Sequence, residues 1–213
     1  MTGKVLDESN RTGMRLRIMP PSRRQCLEQE KSGNFVYVEW PTSTSESVVN
    51  TTNAKHVNAQ TVDDIDVFIH GACEPKNPGG VPTYAIVIYR YSRKIFAEAG
   101  LAGEPYSDDA TNNVAEYTAY TKALEKIKEL GFSHANVKIF AESNLLVNQV
   151  KCNWKAKKPQ IILLHQKAME LTKQIQRITV NRISKDENLE LDELSKEAYY
   201  RYLRKARLRQ DRM

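Results

Sequence analysis

Residues 70–80 read HGACEPKNPGG, and this stretch decides the fold that we expect for the chain. It begins inside the apolar segment DVFIHGA (residues 66–72), which is typical of a buried strand that ends near a glycine. EPKNPGG is rich in proline and glycine and therefore predicts a loop. Two further apolar segments follow, TYAIVIYRY (residues 83–91) and KIFAEAGLA (residues 94–102). The pattern predicts a meander of three strands.

Helical and strand patterns alternate after the meander. Residues 113–130 place apolar side chains at helical spacing, and Gly131 is a suitable stop. A strand VKIFAES comes next, and two helices are predicted to begin after Ser143 and at Pro159. RITVNRI is a final strand, and residues 189–208 form a last helix. The predicted order is β-β-β-α-β-α-α-β-α, an α/β fold with a mixed sheet.

The two ends of the chain differ from this central region. Residues 1–62 are rich in Ser, Thr and Asn and contain one predicted short strand at residues 35–40. We interpret them as a mostly irregular N-terminal extension that orders on a partner, with a flexible tether as the alternative. Residues 63–195 form the predicted domain, with a net charge of −1, whereas the tail of residues 196–213 carries +5. A basic helical tail favours contact with a polyanion over a solvated helix face.

Several classes of protein are disfavoured by composition. No apolar run approaches the roughly 20 residues of a membrane-spanning helix, and the start of the chain has no signal-peptide pattern. The three cysteines are far apart and lack the CxxC spacing of a zinc site. We therefore expect a cytoplasmic protein without a membrane partner.

Four motifs occur in order between residues 69 and 199: IHGACEPKNPGG, TNNVAEYTAYTKAL, FAESNLLVNQV and ENLELDELSKEAY. Together they resemble type 1 ribonuclease H, especially its compact archaeal-like branch. The resemblance implies a ribonuclease H-like fold, with a mixed five-stranded sheet and helices on both faces. Both ends of the chain lie outside it.

The family holds two Mg²⁺ ions with four carboxylates, because Mg²⁺ prefers hard oxygen ligands. The resemblance places the four catalytic positions at His70, Glu116, Glu142 and Asp192. Glu116 and Asp192 are retained, but the family has Asp where this chain has His70 and Glu142. Imidazole is a poor ligand for Mg²⁺, and the longer Glu142 displaces a carboxylate. We expect weak or absent metal binding by Glu116, Glu142 and Asp192.

The family's contacts to nucleic acid are better preserved. The resemblance assigns them to polar residues of the first loop and of two helix starts, and a lysine-rich segment with an indole adds contacts suited to phosphates and bases. The basic tail adds a further set. The predicted nucleic-acid-binding residues are Cys73, Glu74, Asn77, Asn112, Asn113, Asn144, Trp154, Lys155, Lys157, Lys158, Arg201, Arg204, Lys205, Arg207 and Arg209. For any single Asn a turn or capping role is the alternative, and for Trp154 core packing.

The sequence thus predicts a nucleic-acid-binding protein with impaired catalysis, a pseudoenzyme that docks on structured RNA, rRNA or an RNA–DNA hybrid. A larger ribonucleoprotein such as the ribosome is the expected context. No cofactor is needed for binding, and Mg²⁺ or Mn²⁺ is needed for any residual nuclease activity. The alternatives are an active ribonuclease H with unusual metal ligands, which could suit Mn²⁺ or Zn²⁺, and a protein-interaction module that uses the fold as a scaffold.

Overall fold

The computed structural model describes residues 62–211. The predicted strand at residues 35–40 and the rest of the N-terminal extension lie outside the described residues. The described part has five strands and four α-helices in the predicted order, and a short 3₁₀ helix, Lys185–Asn188, precedes the last α-helix. Their bounds are β1 Asp64–Glu74, β2 Val81–Arg90, β3 Arg93–Leu101, α1 Asn112–Glu129, β4 Asn136–Ala141, α2 Asn144–Val150, α3 Pro159–Thr172, β5 Arg177–Arg182 and α4 Leu189–Gln210.

The strands form one mixed sheet in the order β3-β2-β1-β4-β5. Strands β1, β2 and β3 pair antiparallel, as expected for a meander with short connections. Strand β1 pairs parallel with β4, and β4 pairs parallel with β5, because helices connect these strands. Since β1 and β4 run in the same direction, their carboxyl ends meet at one edge of the sheet.

The two faces of β1 bury different sets of side chains. Ile65, Val67 and Ile69 are buried in the main core with residues of α1. Phe68 faces the other side and packs with Leu191 of α4. Alternation of side chains along a strand therefore explains why helices cover both faces, as the sequence predicts.

The helix ends have the signals that the sequence predicts. The hydroxyl of Ser143 accepts a hydrogen bond from the backbone N–H of Leu146 and so caps α2. Gly131, just past the end of α1, has a φ of +79°, which glycine adopts without strain. Pro159 begins α3, where its missing N–H costs nothing.

The basic tail is part of a longer helix. Helix α4 is continuous from Leu189 to Gln210 and passes through the expected domain boundary after residue 195. Ala198, beyond this boundary, is buried. Among residues 62–211, no helix is long and apolar enough to cross a membrane.

Candidate nucleic-acid site

The sheet edge where β1 and β4 end brings three of the four predicted catalytic positions together. His70 lies in β1 directly after the stretch that pairs with β4, Glu142 follows β4, and Asp192 lies in the first turn of α4. Nδ1 of His70 is 3.4 Å from Oε1 of Glu142, and its Nε2 is 3.8 Å from Oδ1 of Asp192. The imidazole of His70 therefore stands between the two carboxylates.

At these distances the imidazole of His70 is close to both carboxylates but forms no hydrogen bond with either. Both ring nitrogens of His70 are buried and have no hydrogen-bond partner within the described residues. Burial lowers the pKa of His70 below its usual value, although Glu142 and Asp192 oppose this shift. The imidazole is therefore neutral at neutral pH.

Each of the two carboxylates has a further partner. Oε1 of Glu142 accepts a hydrogen bond of 2.8 Å from Nδ2 of Asn188, a buried residue immediately before α4. Oδ2 of Asp192 accepts a hydrogen bond of 2.7 Å from Nζ of Lys196, one helical turn later. This hydrogen bond holds the pKa of Asp192 below its usual value. Protein donors thus occupy one oxygen of each carboxylate.

Glu116 approaches the same region from α1. Its side chain accepts a hydrogen bond from the backbone N–H of Gly71, next to His70, while Oε2 has no partner among the described residues. Only 5% of the residue is exposed. Burial raises the pKa of Glu116 to about 8, and the nearby Glu142 adds to the increase. In the absence of a bound cation this carboxyl holds its proton at neutral pH.

This burial makes the stability of the metal-free protein depend on pH. The pKa of Glu116 is about 8 in the folded state against an ordinary value of 4.5, so the folded state binds the proton more tightly. Its contribution to the free energy of unfolding falls by about 1.4 kcal/mol per pH unit as pH rises between these values, and is lost above pH 8. We expect the stability of Glu116→Gln relative to wild type to increase by about 3.5 kcal/mol between pH 5 and pH 8.

Denaturant unfolding in EDTA at several pH values measures this difference. Glu129→Gln is the matched control, because Glu129 lies at the end of the same helix with its side chain 67% exposed. The stability difference between this control and wild type should change little with pH. A flat difference for Glu116→Gln would contradict the raised pKa.

The predicted nucleic-acid-binding residues of the first loop divide into inward and outward groups. Glu74 and Asn77 are exposed. The amide oxygen of Asn77 accepts a hydrogen bond of 3.1 Å from the backbone N–H of Asn112, which ties the loop to the start of α1. The Cys73 side chain is buried and its thiol donates to the carbonyl oxygens of Lys76 and Ala110. The Cys73 side chain therefore does not lie on the surface that Glu74 and Asn77 form.

A groove continues from the start of α1 to the lysine-rich segment. Its volume is about 510 Å³. It is lined by Asn113, Leu145, Gln149, Trp154, Lys155, Lys157, Lys158 and Ile161. Asn113 lies one turn before Glu116, and Leu145 follows the exposed Asn144 at the start of α2. Trp154 is 49% exposed, which favours a surface role over core packing.

The basic residues predicted in the tail are exposed on α4. Arg201, Arg204, Lys205, Arg207 and Arg209 follow one another along its last turns. Tyr202 of this segment contacts Tyr106, with ring centroids 6.3 Å apart. Tyr106 belongs to the connection between β3 and α1, at the same sheet edge as His70.

Sequence reasoning missed three residues at these sites. Asn188 lies in a motif that carried the resemblance, but its bond to Glu142 requires the tertiary fold. Lys196 lies four residues after Asp192, a helical spacing that predicts an ion pair, and this signal could have been used. No sequence signal marks Gln149, because the hydroxyl group that donates to its side chain belongs to Tyr117 on a different helix.

Comparisons with known proteins agree with this architecture. Residues 97–198 match the family model described as reverse transcriptase-like. The bifunctional protein Rv2228c of Mycobacterium tuberculosis is 32% identical over 122 residues, which are 57% of this chain and 32% of that protein. The chain thus spans about a third of the length of the curated relatives it matches.

Two solved structures have the same fold. The N-terminal RNase H domain of Rv2228c, solved as a fusion with maltose binding protein, has a TM-score of 0.59 at 24% identity and covers 68% of this chain and 99% of that chain. LC11-RNase H1, solved in complex with an RNA/DNA hybrid, has a TM-score of 0.58 at 25% identity and covers 65% of this chain and 99% of that one.

The mixed five-stranded sheet with its helices therefore has the ribonuclease H-like fold of these solved structures. The resemblance to type 1 ribonuclease H is therefore confirmed.

Proposed function

We propose that this protein binds nucleic acid through its ribonuclease H-like domain and that its metal-dependent cleavage is impaired. The observation that carries the proposal is the position of His70, whose imidazole stands 3.4 Å from Glu142 and 3.8 Å from Asp192. The family has a carboxylate at this position. A neutral ring in its place removes negative charge where two dications would have to be held close together.

The residues present do not fit two Mg²⁺ ions. Asn188 and Lys196 already donate to the carboxylates of Glu142 and Asp192. Within residues 62–211, no group of three His, Cys, Asp or Glu side chains is arranged as a metal site. Mg²⁺ requires near-octahedral oxygen coordination, which an imidazole between two engaged carboxylates does not provide.

The surface beside the polar cluster is better suited to binding nucleic acid than the cluster is to binding Mg²⁺. The exposed Asn112 and Asn144 flank the polar cluster, and the groove beside them presents Trp154 and three lysines. Lysine ammonium groups suit phosphates, and an exposed indole suits stacking on bases. The RNA/DNA hybrid complex of LC11-RNase H1 supports a hybrid, or a structured RNA of similar shape, as the ligand.

The basic end of α4 favours docking on a larger RNA. Five exposed cations follow one another along its last turns, and Tyr202 in the same segment contacts Tyr106 in the connection before α1. A surface that extends beyond the groove suits a ribonucleoprotein assembly such as the ribosome in the cytoplasm. Residues 1–62 would supply a further contact there.

The test is an assay of the full-length protein with a labelled RNA–DNA hybrid and with a structured RNA. We expect tight binding in EDTA and no cleavage in Mg²⁺ at rates typical of the family. The control protein is Arg93→Gln with Lys128→Gln, two exposed cations away from the proposed surface, which should bind like wild type. Rapid Mg²⁺-dependent cleavage that Glu116→Gln abolishes would contradict the proposal, as would the absence of binding.

An active nuclease with unusual ligands is the second candidate. Both ring nitrogens of His70 and Oε2 of Glu116 are buried without hydrogen-bond partners in the described part of the chain. Mixed nitrogen and oxygen donors suit Mn²⁺ or Zn²⁺ better than Mg²⁺. Cleavage of the same hybrid in Mn²⁺ or Zn²⁺ but not in Mg²⁺, lost in His70→Ala, would favour this candidate.

The role of the tail predicts a change in the salt dependence of binding. Each phosphate contact contributes roughly −0.7 to −0.9 to the slope of log affinity against log salt. Replacing Arg201, Arg204, Lys205, Arg207 and Arg209 by Gln should flatten that slope by about four units. Substitution is preferable to truncation after residue 195, because truncation would also remove the buried Ala198.

Fluorescence anisotropy titrations at several salt concentrations measure the slope. The Arg93→Gln, Lys128→Gln protein again serves as control and should keep the wild-type slope. An unchanged slope in the tail variant would mean that these cations make no phosphate contacts and only form a solvent-exposed helix face.

A further inference from the structure

We infer that Gln149 is a positioning residue that holds the lysine loop, residues 151–158, in the conformation that contacts nucleic acid. The inference rests on the proposed function, because it explains how the groove keeps its cations and its indole in place. It concerns the loop backbone and not the polar cluster around His70.

The side chain of Gln149 joins the core to the loop. Its Oε1 accepts a hydrogen bond of 2.9 Å from the hydroxyl of Tyr117, and its Nε2 donates a hydrogen bond of 3.1 Å to the carbonyl oxygen of Lys155. The carbonyl can only accept, so the orientation of the amide is determined. Both Gln149 and Tyr117 are buried. A buried amide with both ends paired is costly to displace.

The backbone of Gln149 is held from a third helix. Its carbonyl oxygen accepts hydrogen bonds from Nε2 of His165 in α3, at 3.1 Å, and from the backbone N–H of Cys152, at 2.9 Å. The ring of His165 also packs edge-on against the ring of Tyr117, with centroids 6.4 Å apart. Helices α1, α2 and α3 therefore converge on Gln149.

Different contacts hold the two halves of the loop. Its first half is tied to Asn148, whose carbonyl oxygen accepts from the backbone N–H groups of Asn153 and Trp154 at 2.8 and 3.2 Å. For the stretch that follows Trp154 and precedes α3, the bond from Gln149 to Lys155 is the one side-chain hydrogen bond from the core within residues 62–211. Ala156 packs against the main core, so loss of this bond should loosen, but not release, the segment that carries Lys155, Lys157 and Lys158.

The position of the lysine loop matters for binding because the nucleic acid would contact its long, exposed side chains. Ordering a mobile loop on association costs conformational entropy, and a loop that is already held avoids this cost. Tyr117 lies next to Glu116 on α1, so the same helix sets the polar cluster and the groove. The spacing between the two parts of the binding surface is therefore determined by one rigid element.

The test compares Gln149→Met and Tyr117→Phe with Tyr120→Phe in the full-length protein. Tyr120 is the matched control: it is a fully buried tyrosine one turn along α1, but its hydroxyl lies 2.9 Å from that of Thr172 and does not reach the loop. Hydrogen exchange of the backbone amides of residues 151–158, followed by mass spectrometry, reports the loop without any ligand. We expect exchange about tenfold faster in the first two variants and unchanged in the control.

Titration with the RNA–DNA hybrid gives the second measurement. The first two variants should bind about tenfold more weakly, with a shallower salt slope, whereas Tyr120→Phe should match wild type. Equal loop exchange in all three variants, or faster exchange with unchanged binding, would overturn the inference. Failure of the wild-type protein to bind the hybrid or structured RNA would instead refute the proposed function, and the exchange comparison alone would then decide whether Gln149 holds the loop.

Discussion

The double variant His70→Asp, Glu142→Asp is expected to cleave an RNA–DNA hybrid in Mg²⁺ at least about a hundredfold faster than wild type. The change replaces the imidazole between Glu142 and Asp192 with a carboxylate and shortens the neighbouring ligand by one methylene. A metal site can contribute several kcal/mol to a transition state, and each 1.36 kcal/mol is a factor of about ten in rate. Single-turnover cleavage of a labelled hybrid measures the gain.

Two further variants test whether the gain in cleavage comes from the restored carboxylates. Glu142→Asp alone keeps the imidazole and should gain little, whereas adding Glu116→Gln to the double variant should remove the restored activity. Activity that does not rise in the double variant would mean that Asn188 and Lys196, which donate to the carboxylates at positions 142 and 192, also prevent metal binding. The two substitutions would then be insufficient to explain impaired cleavage.

Gly71→Ala is expected to have the largest effect on stability, with a loss of at least about 4 kcal/mol or failure to fold. A Cβ at Gly71 would lie 2.2 Å from the backbone nitrogen of Glu116 and 2.5 Å from the carbonyl carbon of Ala115. Strand β1 and helix α1 cross at this point, and neither backbone can move without disturbing the core that both bury. Chemical denaturation of the purified variant measures the loss.

Gly103→Ala is the matched control for this substitution. A Cβ at Gly103 would have only side-chain neighbours, at 3.7 and 4.0 Å, which is ordinary contact. Its free energy of unfolding should stay within about 1 kcal/mol of wild type. A small loss for Gly71→Ala would show that β1 and α1 can separate, and the position of Glu116 beside Gly71 would then be less constrained than the structure indicates.

Most of the fold can be predicted from local patterns. Alternating side chains in DVFIHGA, helical spacing in residues 113–130 and the signals at Gly131, Ser143 and Pro159 all correspond to observed elements. These signals act over a few residues, so a single sequence carries them. The bounds of β1 and α4 extend further than the patterns predict, because pairing with β2 and packing on the sheet continue past the apolar residues.

The candidate site is only partly accessible to sequence reasoning. The resemblance assigns four positions and shows that two of them depart from the family. It does not show whether the remaining residues compensate, since Asn188 and Lys196 meet Glu142 and Asp192 only after the chain has folded. The inward orientation of Cys73 and the exposure of Trp154 likewise depend on packing.

The sequence by itself determined the order of strands and helices, the basic end of α4 and the replacement of an expected carboxylate by His70. Periodicity, helix-end residues and residue type are properties of short segments, so no distant contact is needed to recognise them. Only the tertiary structure decided the environment of each ionisable group. Burial and neighbours from β1, β4, α1 and α4 lower the pKa of His70 and raise that of Glu116 to about 8, because desolvation depends on contacts between residues distant in the chain.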